Sequence, residues 1–457
     1  MKWYNGDPDT LLRDWKLTEN PFWADYQVLG ALEGAYRVLS TMDDVLPIMV
    51  GAKGCSYHLR FTIVAGGETS FDLGKRLAAV LEFPVEQIVI GDLKAPQAWA
   101  DRLKDLVAER PPRLLVLLPT DALVVSGTDL RPLARQVEAL MGVPTTWAEA
   151  SSITGQNPHA GYDAAMSALL APYLEKPCPH RSGVNLLGWH WPSRQRIHEI
   201  GACVDMLERL DIEVKSILSG GSKLEDFERA VTAAGNAAVC PAVFGSYVDD
   251  MARRGVPVVA GRSPYGFSGT REWLEQICAG LGLDRGRAID ALEAEYRPAF
   301  EANKRKLEGK KIFISGGPGR LIGLMHLMMD YGLEIEAAAL FWPHERSRED
   351  LEHMLRHHGV KINQIIVSPS LYEIEEIARQ YRLDLWAGGY QELHTCKRHH
   401  IPFVPITVYT VPHVGFEGAV NFGNKMLLAL DGFSFTDNLF QAKEIEPCIA
   451  PNNDARA

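Results

Sequence analysis

Short apolar runs of three to five residues recur along the whole sequence, and amphipathic stretches separate them. Runs this short are typical of strands buried on both faces of a parallel sheet, whereas the longer periodic stretches are typical of helices. The alternation predicts an α/β fold with more than one parallel sheet. We expect strands at residues 46–50, 87–90, 114–118, 184–187, 256–259, 311–314, 365–367 and 384–386, with helices including 99–109 and 224–234.

Two segments divide the chain into three such units. Residues 176–183 are rich in proline and precede a predicted strand, and residues 304–311 are rich in lysine and arginine and precede another. We therefore predict α/β domains at residues 1–180, 181–308 and 309–445, followed by a polar tail at 446–457.

The composition excludes several classes of protein. A formal net charge of −11 argues against binding to nucleic acid or to a membrane, since anionic partners of this kind favour a basic surface. No apolar run approaches the roughly 18 residues that span a bilayer, and residues 1–7 lack the pattern of a secretory signal, so we expect a cytoplasmic protein. The seven cysteines follow no regular spacing, which argues against both a disulfide framework and a zinc site. Any metal cluster must therefore take ligands from another chain.

Cys55 has the most informative surroundings of the seven cysteines. It ends the sequence Val-Gly-Ala-Lys-Gly-Cys at positions 50–55, after an apolar run. Two glycines allow a bulky group to approach the backbone closely, so this thiol is a candidate ligand of an iron–sulfur cluster. The alternative is an inert buried thiol, which is the usual state of a free cysteine.

A second glycine-rich turn, at residues 315–320, follows the predicted strand at 311–314 and precedes an apolar helix. Its backbone amides could hold an anion at the N-terminus of that helix. The spacing is only a partial match to a dinucleotide fingerprint, and the sequence contains no P-loop. If the reaction needs ATP, we expect a partner protein to bind it.

A series of short motifs covers most of the chain, at residues 29–35, 46–55, 121–130, 142–144, 152–156, 159–165, 184–188, 255–257, 264–270, 314–318, 400–403 and 412–419. In order and spacing they resemble the component 1 proteins of nitrogenase and their relatives. These relatives include the cofactor-assembly scaffold, methylthio-alkane reductase and the light-independent tetrapyrrole reductases. The resemblance implies three Rossmann-like parallel-sheet domains around a shared cleft.

The resemblance also implies a cluster site to which this chain gives one ligand. In relatives whose subunit gives three thiolates, a cysteine precedes the Gly-Cys pair and another follows the third strand. Here those places hold Leu29 or a neighbour and Pro119-Thr120, so Cys55 resembles the single cysteine of one half of a heterodimer. Three cysteines of a homologous partner subunit, in a heterodimer or α2β2 heterotetramer, would complete a shared 4Fe-4S or larger cluster.

Cys240 is a second candidate for cofactor binding. It lies near the position at which the catalytic subunit of nitrogenase anchors its large cofactor through a cysteine, and a thiolate at a strand end is suited to iron. The histidine that forms the other anchor would fall at 405–407, where this sequence has none. A buried structural thiol is the alternative for Cys240.

The histidines are candidate proton donors. His394 and His413 lie near strand ends of the third unit, where open α/β sheets bind substrates, and we consider both as catalytic residues. The alternative is that each is an ordinary hydrogen-bonding residue. His353, His357 and His358 have charged neighbours, and we expect them on a solvated helix face.

The function implied by the resemblance is that of a subunit of a heteromeric reductase. An ATP-dependent iron protein would pass low-potential electrons to the interfacial iron–sulfur cluster, and the substrate would be a small sulfur compound or a tetrapyrrole. Two alternatives stay open: a scaffold subunit for assembly of a nitrogenase-type cofactor, and a non-catalytic structural homologue.

Overall fold

The computed structural model describes residues 2–15, 17–19, 30–52, 54–55, 79–109, 111–150, 157–175, 180–189, 195–240, 245–344, 346–406 and 411–440. The described strands are β1 (Lys2–Gly6), β2 (Thr18–Glu19), β3 (Val45–Ala52), β4 (Val80–Phe83), β5 (Leu114–Pro119), β6 (Thr145–Trp147), β7 (Val184–Leu187), β8 (Val214–Leu218), β9 (Gly235–Ala238), β10 (Val258–Ala260), β11 (Lys311–Gly316), β12 (Glu334–Leu340), β13 (Ile362–Val367), β14 (Leu385–Gly388) and β15 (Phe403–Pro405).

The described α-helices lie between these strands and after the last of them. They are α1 (Pro8–Asp14), α2 (Ala31–Ser40), α3 (Val85–Ile90), α4 (Gln97–Val107), α5 (Asp121–Val125), α6 (Arg131–Met141), α7 (Pro158–Leu170), α8 (Gln195–Glu208), α9 (Leu224–Ala230), α10 (Ser246–Arg253), α11 (Gly266–Gly280), α12 (Gly286–Leu307), α13 (Pro318–Tyr331), α14 (Ser347–Glu352), α15 (Leu371–Gln380), α16 (Leu393–Arg398) and α17 (Gly415–Phe440). A π-helical turn, His353–His357, continues α14. None of the described helices combines the length and the apolar character that crossing a bilayer requires.

The strands form three sheets, which confirms the predicted α/β architecture. The first has the order β4-β3-β5-β6 and the second β10-β9-β7-β8, and the pairs in both are parallel. The third has the order β15-β14-β11-β12-β13-β1-β2, and β1 joins it antiparallel, with Tyr4 opposite Val367. The N-terminal strands therefore belong to the sheet of the C-terminal unit rather than to that of the first unit. The domain boundaries at 180 and 308 stay a prediction.

One predicted strand is wrong. Residues 87–90 lie in helix α3, and the strand that pairs with β3 in this region is β4. Pro84 precedes the helix as its N-cap with extended backbone angles, and Gly91 ends it in the left-handed region at φ 72°. Apolar runs as short as this one do not distinguish a strand from a helix, and the flanking Pro and Gly decide the outcome here. The other predicted strands overlap observed ones.

Helices α2 and α7 cross at two glycines. A Cβ atom at Gly34 would lie 2.0 Å from the carbonyl oxygen of Pro158, and one at Gly161 would lie 1.8 Å from that of Ala31. The two backbones are therefore in direct contact, an approach that only glycine permits. The crossing brings Arg37 of α2 against Tyr162 of α7, and both residues are buried.

The second and third units share a hydrophobic core. One buried cluster contains Val184 and Leu186 of the second sheet together with Ile312 and Ile314 of the third. Helices α12 and α17 pack beside it, and the Asn303 side chain donates a 2.8 Å hydrogen bond to Asn424 between them. Buried apolar area of this kind fixes the two units relative to each other.

Candidate functional site

Cys55 lies at the carboxyl end of β3, and its side chain is exposed. The preceding Gly54 has φ +92°, a left-handed angle that favours glycine, and its N–H donates a 3.3 Å hydrogen bond to Glu82 Oε1. Among the described residues, no atom would come within 4 Å of a Cβ at Gly54. Within the described residues the Cys55 thiol is thus exposed rather than part of the core.

Thr120 follows β5 at the same edge of the sheet. Its hydroxyl packs against Gly51 of β3, where a Cβ atom would lie 1.8 Å from Thr120 Oγ1. That oxygen is buried and has no hydrogen-bond partner within the described part of the chain. Cys55 is the one cysteine that the structure describes in the first unit. The edge thus carries a single thiol in the described ranges, with a hydroxyl where some relatives have another cysteine.

An apolar patch lies on two short helices that follow strands of this sheet. We define the patch as Val85, Val89 and Ile90 of α3 with Val125 of α5, whose exposed fractions are 59%, 72%, 73% and 67%. Parallel strands have their carboxyl ends at one edge of a sheet, and α3 follows β4 while α5 follows β5. The patch therefore lies at the same edge as Cys55. Several exposed apolar side chains at one edge of a sheet are a feature of protein interaction surfaces.

Cys240 lies two residues past β9 and is half-buried. It contacts the loop after β7, where a Cβ at Gly188 would lie 3.3 Å from Cys240 Cβ. Burial raises the pKa of both Tyr162 and Tyr247, and the sulfur of Cys240 acts in the same direction on each. Tyr162 belongs to α7 and Tyr247 to α10. The thiol therefore lies where the first and second units meet, beside the buried Arg37–Tyr162 pair.

The same strand end is tied to the third unit. Ser263 Oγ lies 2.5 Å from the carbonyl oxygen of Val239 and 2.9 Å from that of Gly319, so its single proton is within hydrogen-bonding reach of both. Val239 precedes Cys240, and Gly319 lies in the first turn of α13, next to Arg320. Arg320 thus lies across the junction from Cys240.

His413 is fully buried close to this junction. Lys425 Nζ lies 3.2 Å from His413 Nε2 and donates a 3.0 Å hydrogen bond to the Pro405 carbonyl. Burial, with the charges of Lys425 and Arg320, holds the pKa of His413 well below its usual range. Burial and Arg320 also lower the pKa of Lys425 to about 8. The imidazole is therefore neutral at pH 7, and the lysine is the group of the pair that carries a transferable proton.

Comparison with known proteins identifies the family. The model of nitrogenase component 1 type oxidoreductases matches residues 31–431. The chain belongs to this family. The nitrogenase vanadium-iron protein beta chain of Trichormus variabilis is 23% identical over 90% of this chain and 92% of its own length. The nitrogenase iron-molybdenum cofactor biosynthesis protein NifE of Sinorhizobium fredii is 24% identical over 88% of this chain and 81% of its own. A solved structure of nitrogenase Cp1 at pH 6.5 shares the fold, with a TM-score of 0.73 and 17% identity over 94% of this chain and 92% of that one.

The donor set at the first edge fits part of an iron–sulfur site. Such clusters are held by cysteine thiolates, and a four-iron cluster takes four of them. Cys55 is an exposed thiol on an open turn, and in the described ranges of the first unit it has no second thiol beside it. A cluster here would therefore take its other ligands from outside the described part of the first unit.

His394 lies apart from the junction groups just described. It is exposed on α16, and its Nε2 lies 2.9 Å from an Arg398 guanidinium nitrogen. The prediction of a solvated face at the other histidines holds for His357 and is wrong for His353 and His358, whose side chains are only 21% and 24% exposed. The π turn explains the error, because it rotates the last residues relative to an α-helix.

Sequence reasoning missed four polar groups near Cys240 and His413, namely Arg37, Tyr162, Arg320 and Lys425. Each belongs to a helix, and each reaches its partner across a long sequence separation or across a helix crossing. Lys425 follows His413 by twelve residues, and α17 places the two side chains together. The signal available in the sequence was a basic residue within an otherwise apolar helical stretch.

Proposed function

We propose that this chain is one subunit of a nitrogenase-like heteromeric reductase, in which Cys55 supplies one ligand to an iron–sulfur cluster shared with a homologous partner subunit. The observation that carries the proposal is the exposed thiol on an open glycine turn at the carboxyl edge of the first sheet. Three thiolates of the partner complete the tetrahedral set of a 4Fe-4S cluster, or more of them a larger cluster.

The partner docks over the apolar patch formed by Val85, Val89, Ile90 and Val125. These side chains share the edge with Cys55, so a subunit that covers them also brings its own cysteines near the thiol. Covering them removes apolar surface from water, which is the main driving force for association. Two such heterodimers form the α2β2 heterotetramer.

Electrons come from an ATP-dependent iron protein. The glycine turn before α13 has Gly317 as the N-cap and Pro318 at the first helical position, and the sequence lacks the lysine and hydroxyl of a P-loop. The chain thus supplies no nucleotide site of that type, and a protein can position a redox centre but cannot itself generate electrons.

The substrate, a small sulfur compound or a tetrapyrrole, binds in a shared cleft at the junction of the three units. Cys240 contacts the substrate or a bound cofactor there, and the His413–Lys425 pair delivers a proton. Lys425 is the proton source of the pair, because His413 is neutral while Lys425 is protonated at pH 7. His394 keeps its proposed catalytic role as an exposed proton donor, which requires that a partner cover α16.

A scaffold for cofactor assembly is the second candidate. The relative NifE is named for biosynthesis of the iron-molybdenum cofactor, and it matches this chain about as well as the vanadium-iron protein beta chain does. A scaffold would hold a cluster through Cys55 without turning over a substrate.

The test is anaerobic co-expression with a homologous partner subunit, followed by measurement of iron and sulfide per heterodimer. We expect Cys55→Ala to lose the iron of the shared cluster. The matched control is Cys278→Ala, because Cys278 is buried in α11, away from the edge. Full iron retention by a Cys55→Ala heterodimer refutes the cluster assignment.

Reductase and scaffold are separated by turnover. The loaded heterodimer is mixed with an iron protein of the family, ATP and a reductant, and consumption of methylthio compounds or of a chlorin is measured. A reductase consumes one of them in proportion to its iron content. A scaffold retains its iron, consumes none and transfers its cluster to an acceptor protein.

A further inference from the structure

Three histidines and one glutamate converge where the second and third units meet. His353 Nε2 and His358 Nε2 are 2.9 Å apart, and Glu272 carboxylate oxygens lie 3.5 Å from each of them. His326 Nε2 lies 4.0 Å from Glu272 Oε2, and the four ligand atoms all lie within 4.8 Å of one another. Neighbouring ligands of a tetrahedral zinc ion are about 3.3 Å apart, because the bonds are 2.0–2.1 Å long. The cluster thus has the dimensions of a four-coordinate metal site.

The π-helical turn creates this arrangement. Residues five apart in an α-helix point about 140° away from each other, since each residue turns the helix by about 100°. Here the His358 N–H donates a 3.2 Å hydrogen bond to the His353 carbonyl, which is the five-residue spacing of a π turn. Both imidazoles therefore face α11 and α13. Isolated π turns are rare and occur frequently at functional sites.

His326 is the buried member of the cluster. It has no exposed surface, and its Nε2 has no hydrogen-bond partner in the part of the chain that the structure describes. Its other nitrogen, Nδ1, lies 3.2 Å from Ser268 Oγ, and Gly269 leaves room for the ring, since a Cβ there would lie 3.2 Å from it. The ring is thus oriented through Nδ1 and presents Nε2 to Glu272. Metal-binding histidines are held in this way by a second polar group on the other nitrogen.

The surroundings leave one carboxylate oxygen of Glu272 for a metal. Gln276 donates a 2.8 Å hydrogen bond to Oε1, and Arg262 lies 3.3 Å from the same atom. Arg262 also forms an ion pair with Asp350, at 3.3 Å, so its positive charge is shared between the Glu272 and Asp350 carboxylates. The cluster offers three imidazole nitrogens and one carboxylate oxygen as donor atoms. Neutral imidazoles and an ionised carboxylate are the donor forms that divalent metals bind.

We propose that Glu272, His326, His353 and His358 bind one divalent first-row transition metal, with Zn²⁺ as the first candidate. Three nitrogen donors and one oxygen donor suit Zn²⁺, and four protein ligands leave no open position, so the site is structural. Glu272 belongs to α11, after the second sheet, and the histidines belong to the third unit. The metal therefore links these two units. The cysteine spacing argued against zinc, but this site uses no cysteine.

The test uses the full-length chain carrying Cys55→Ala, so that the iron–sulfur ligand cannot contribute. The protein is stripped of metal with a chelator and titrated anaerobically with Co²⁺, whose visible bands report four-coordinate binding. We expect one Co²⁺ per chain, displaced by Zn²⁺, and a rise in melting temperature with Zn²⁺ because the ligand binds the folded state. His353→Gln and His358→Gln should each weaken binding by at least about tenfold.

The matched control is His357→Gln, which changes an exposed histidine of the same turn and should bind as the parent does. Ser268→Ala keeps all four ligands but removes the group that orients His326, so it should weaken metal binding while the circular dichroism spectrum stays unchanged. This variant keeps the proposal testable if a ligand variant fails to fold. Absence of the visible bands in the folded parent overturns the proposal. Equal affinity of the parent and the His353→Gln and His358→Gln variants also overturns it. Neither outcome depends on whether Cys55 binds a cluster.

Discussion

Replacing Lys425 with methionine tests the electrostatics of the buried His413–Lys425 pair. Burial and Arg320 lower the pKa of Lys425 from 10.5 to about 8. A tenfold change in proton affinity corresponds to about 1.4 kcal/mol, so a charged Lys425 destabilises the fold by up to about 3 kcal/mol. The unfolded chain binds this proton between pH 10.5 and pH 8, and the folded chain does not. The destabilisation of the fold by the charged Lys425 is therefore complete below pH 8, and it disappears as the pH rises towards 10.5.

Lys425→Met removes the ammonium group and keeps an unbranched apolar stem. It also removes the hydrogen bond to the Pro405 carbonyl and the contact with His413, at a loss of roughly 1.5 kcal/mol each, so the net change in stability below pH 8 is close to zero. The pH dependence is therefore more diagnostic than the stability at one pH. The free energy of unfolding of the parent should rise relative to the variant by about 2 kcal/mol between pH 8 and pH 10.

Calorimetric melting of the parent and the variant across this pH range is the assay. An unfolding entropy of about 2 cal/mol/K per residue gives about 1 kcal/mol/K for 457 residues, so the expected change in the melting-temperature difference is about 2 °C. Lys397→Met, on the exposed side of α16, is the control and should give a difference that is flat with pH. A flat difference for Lys425→Met as well would refute the buried-ammonium reasoning.

Two further predictions concern packing and thiol exposure. Gly34→Ala should destabilise the fold by about 1–3 kcal/mol, because its Cβ would lie 2.0 Å from the Pro158 carbonyl oxygen. The control is Gly201→Ala in α8, whose Cβ would meet no atom of the described residues within 4 Å and which should be neutral or stabilising. Chemical unfolding of both variants measures the difference. Iodoacetamide should label Cys55 in the isolated folded chain, and a bound partner should slow this labelling, as measured by peptide mapping. The buried thiols of Cys203, Cys278 and Cys396 should react only after unfolding.

The fold was predictable where local pattern and tertiary structure agree. The strand at 114–118 is apolar throughout and lies at the centre of a parallel sheet, as its sequence indicates. The run at 87–90 is also mostly apolar but lies in a surface helix, in which Ile88 packs into the core while Val89 and Ile90 are exposed. The pairing of β1 with β13 joins residues more than 350 positions apart, and no local pattern carries that information.

Of the two candidate metal sites, the sequence predicts one and not the other. Cys55 was accessible to sequence reasoning because its glycine turn and its thiol are adjacent in the chain. The cluster of Glu272, His326, His353 and His358 was not, because three separate segments build it and a π turn sets the direction of two of its side chains. Helical periodicity placed those two histidines on a solvated face, and one extra residue in the turn moved them inward.

The two proposed metal sites differ in what they need from other chains, and this difference gives the last prediction. The described first unit offers one thiol for the cluster, on an exposed edge, so separation of the partner should release the iron. The histidine and glutamate site has four ligands from this chain, one of them fully buried, so the same separation should leave its metal in place. Metal analysis of the chain before and after dissociation of the heterodimer measures both. Loss of the two metals together would mean that the second site also depends on the partner, which contradicts a closed site linking two units of one chain.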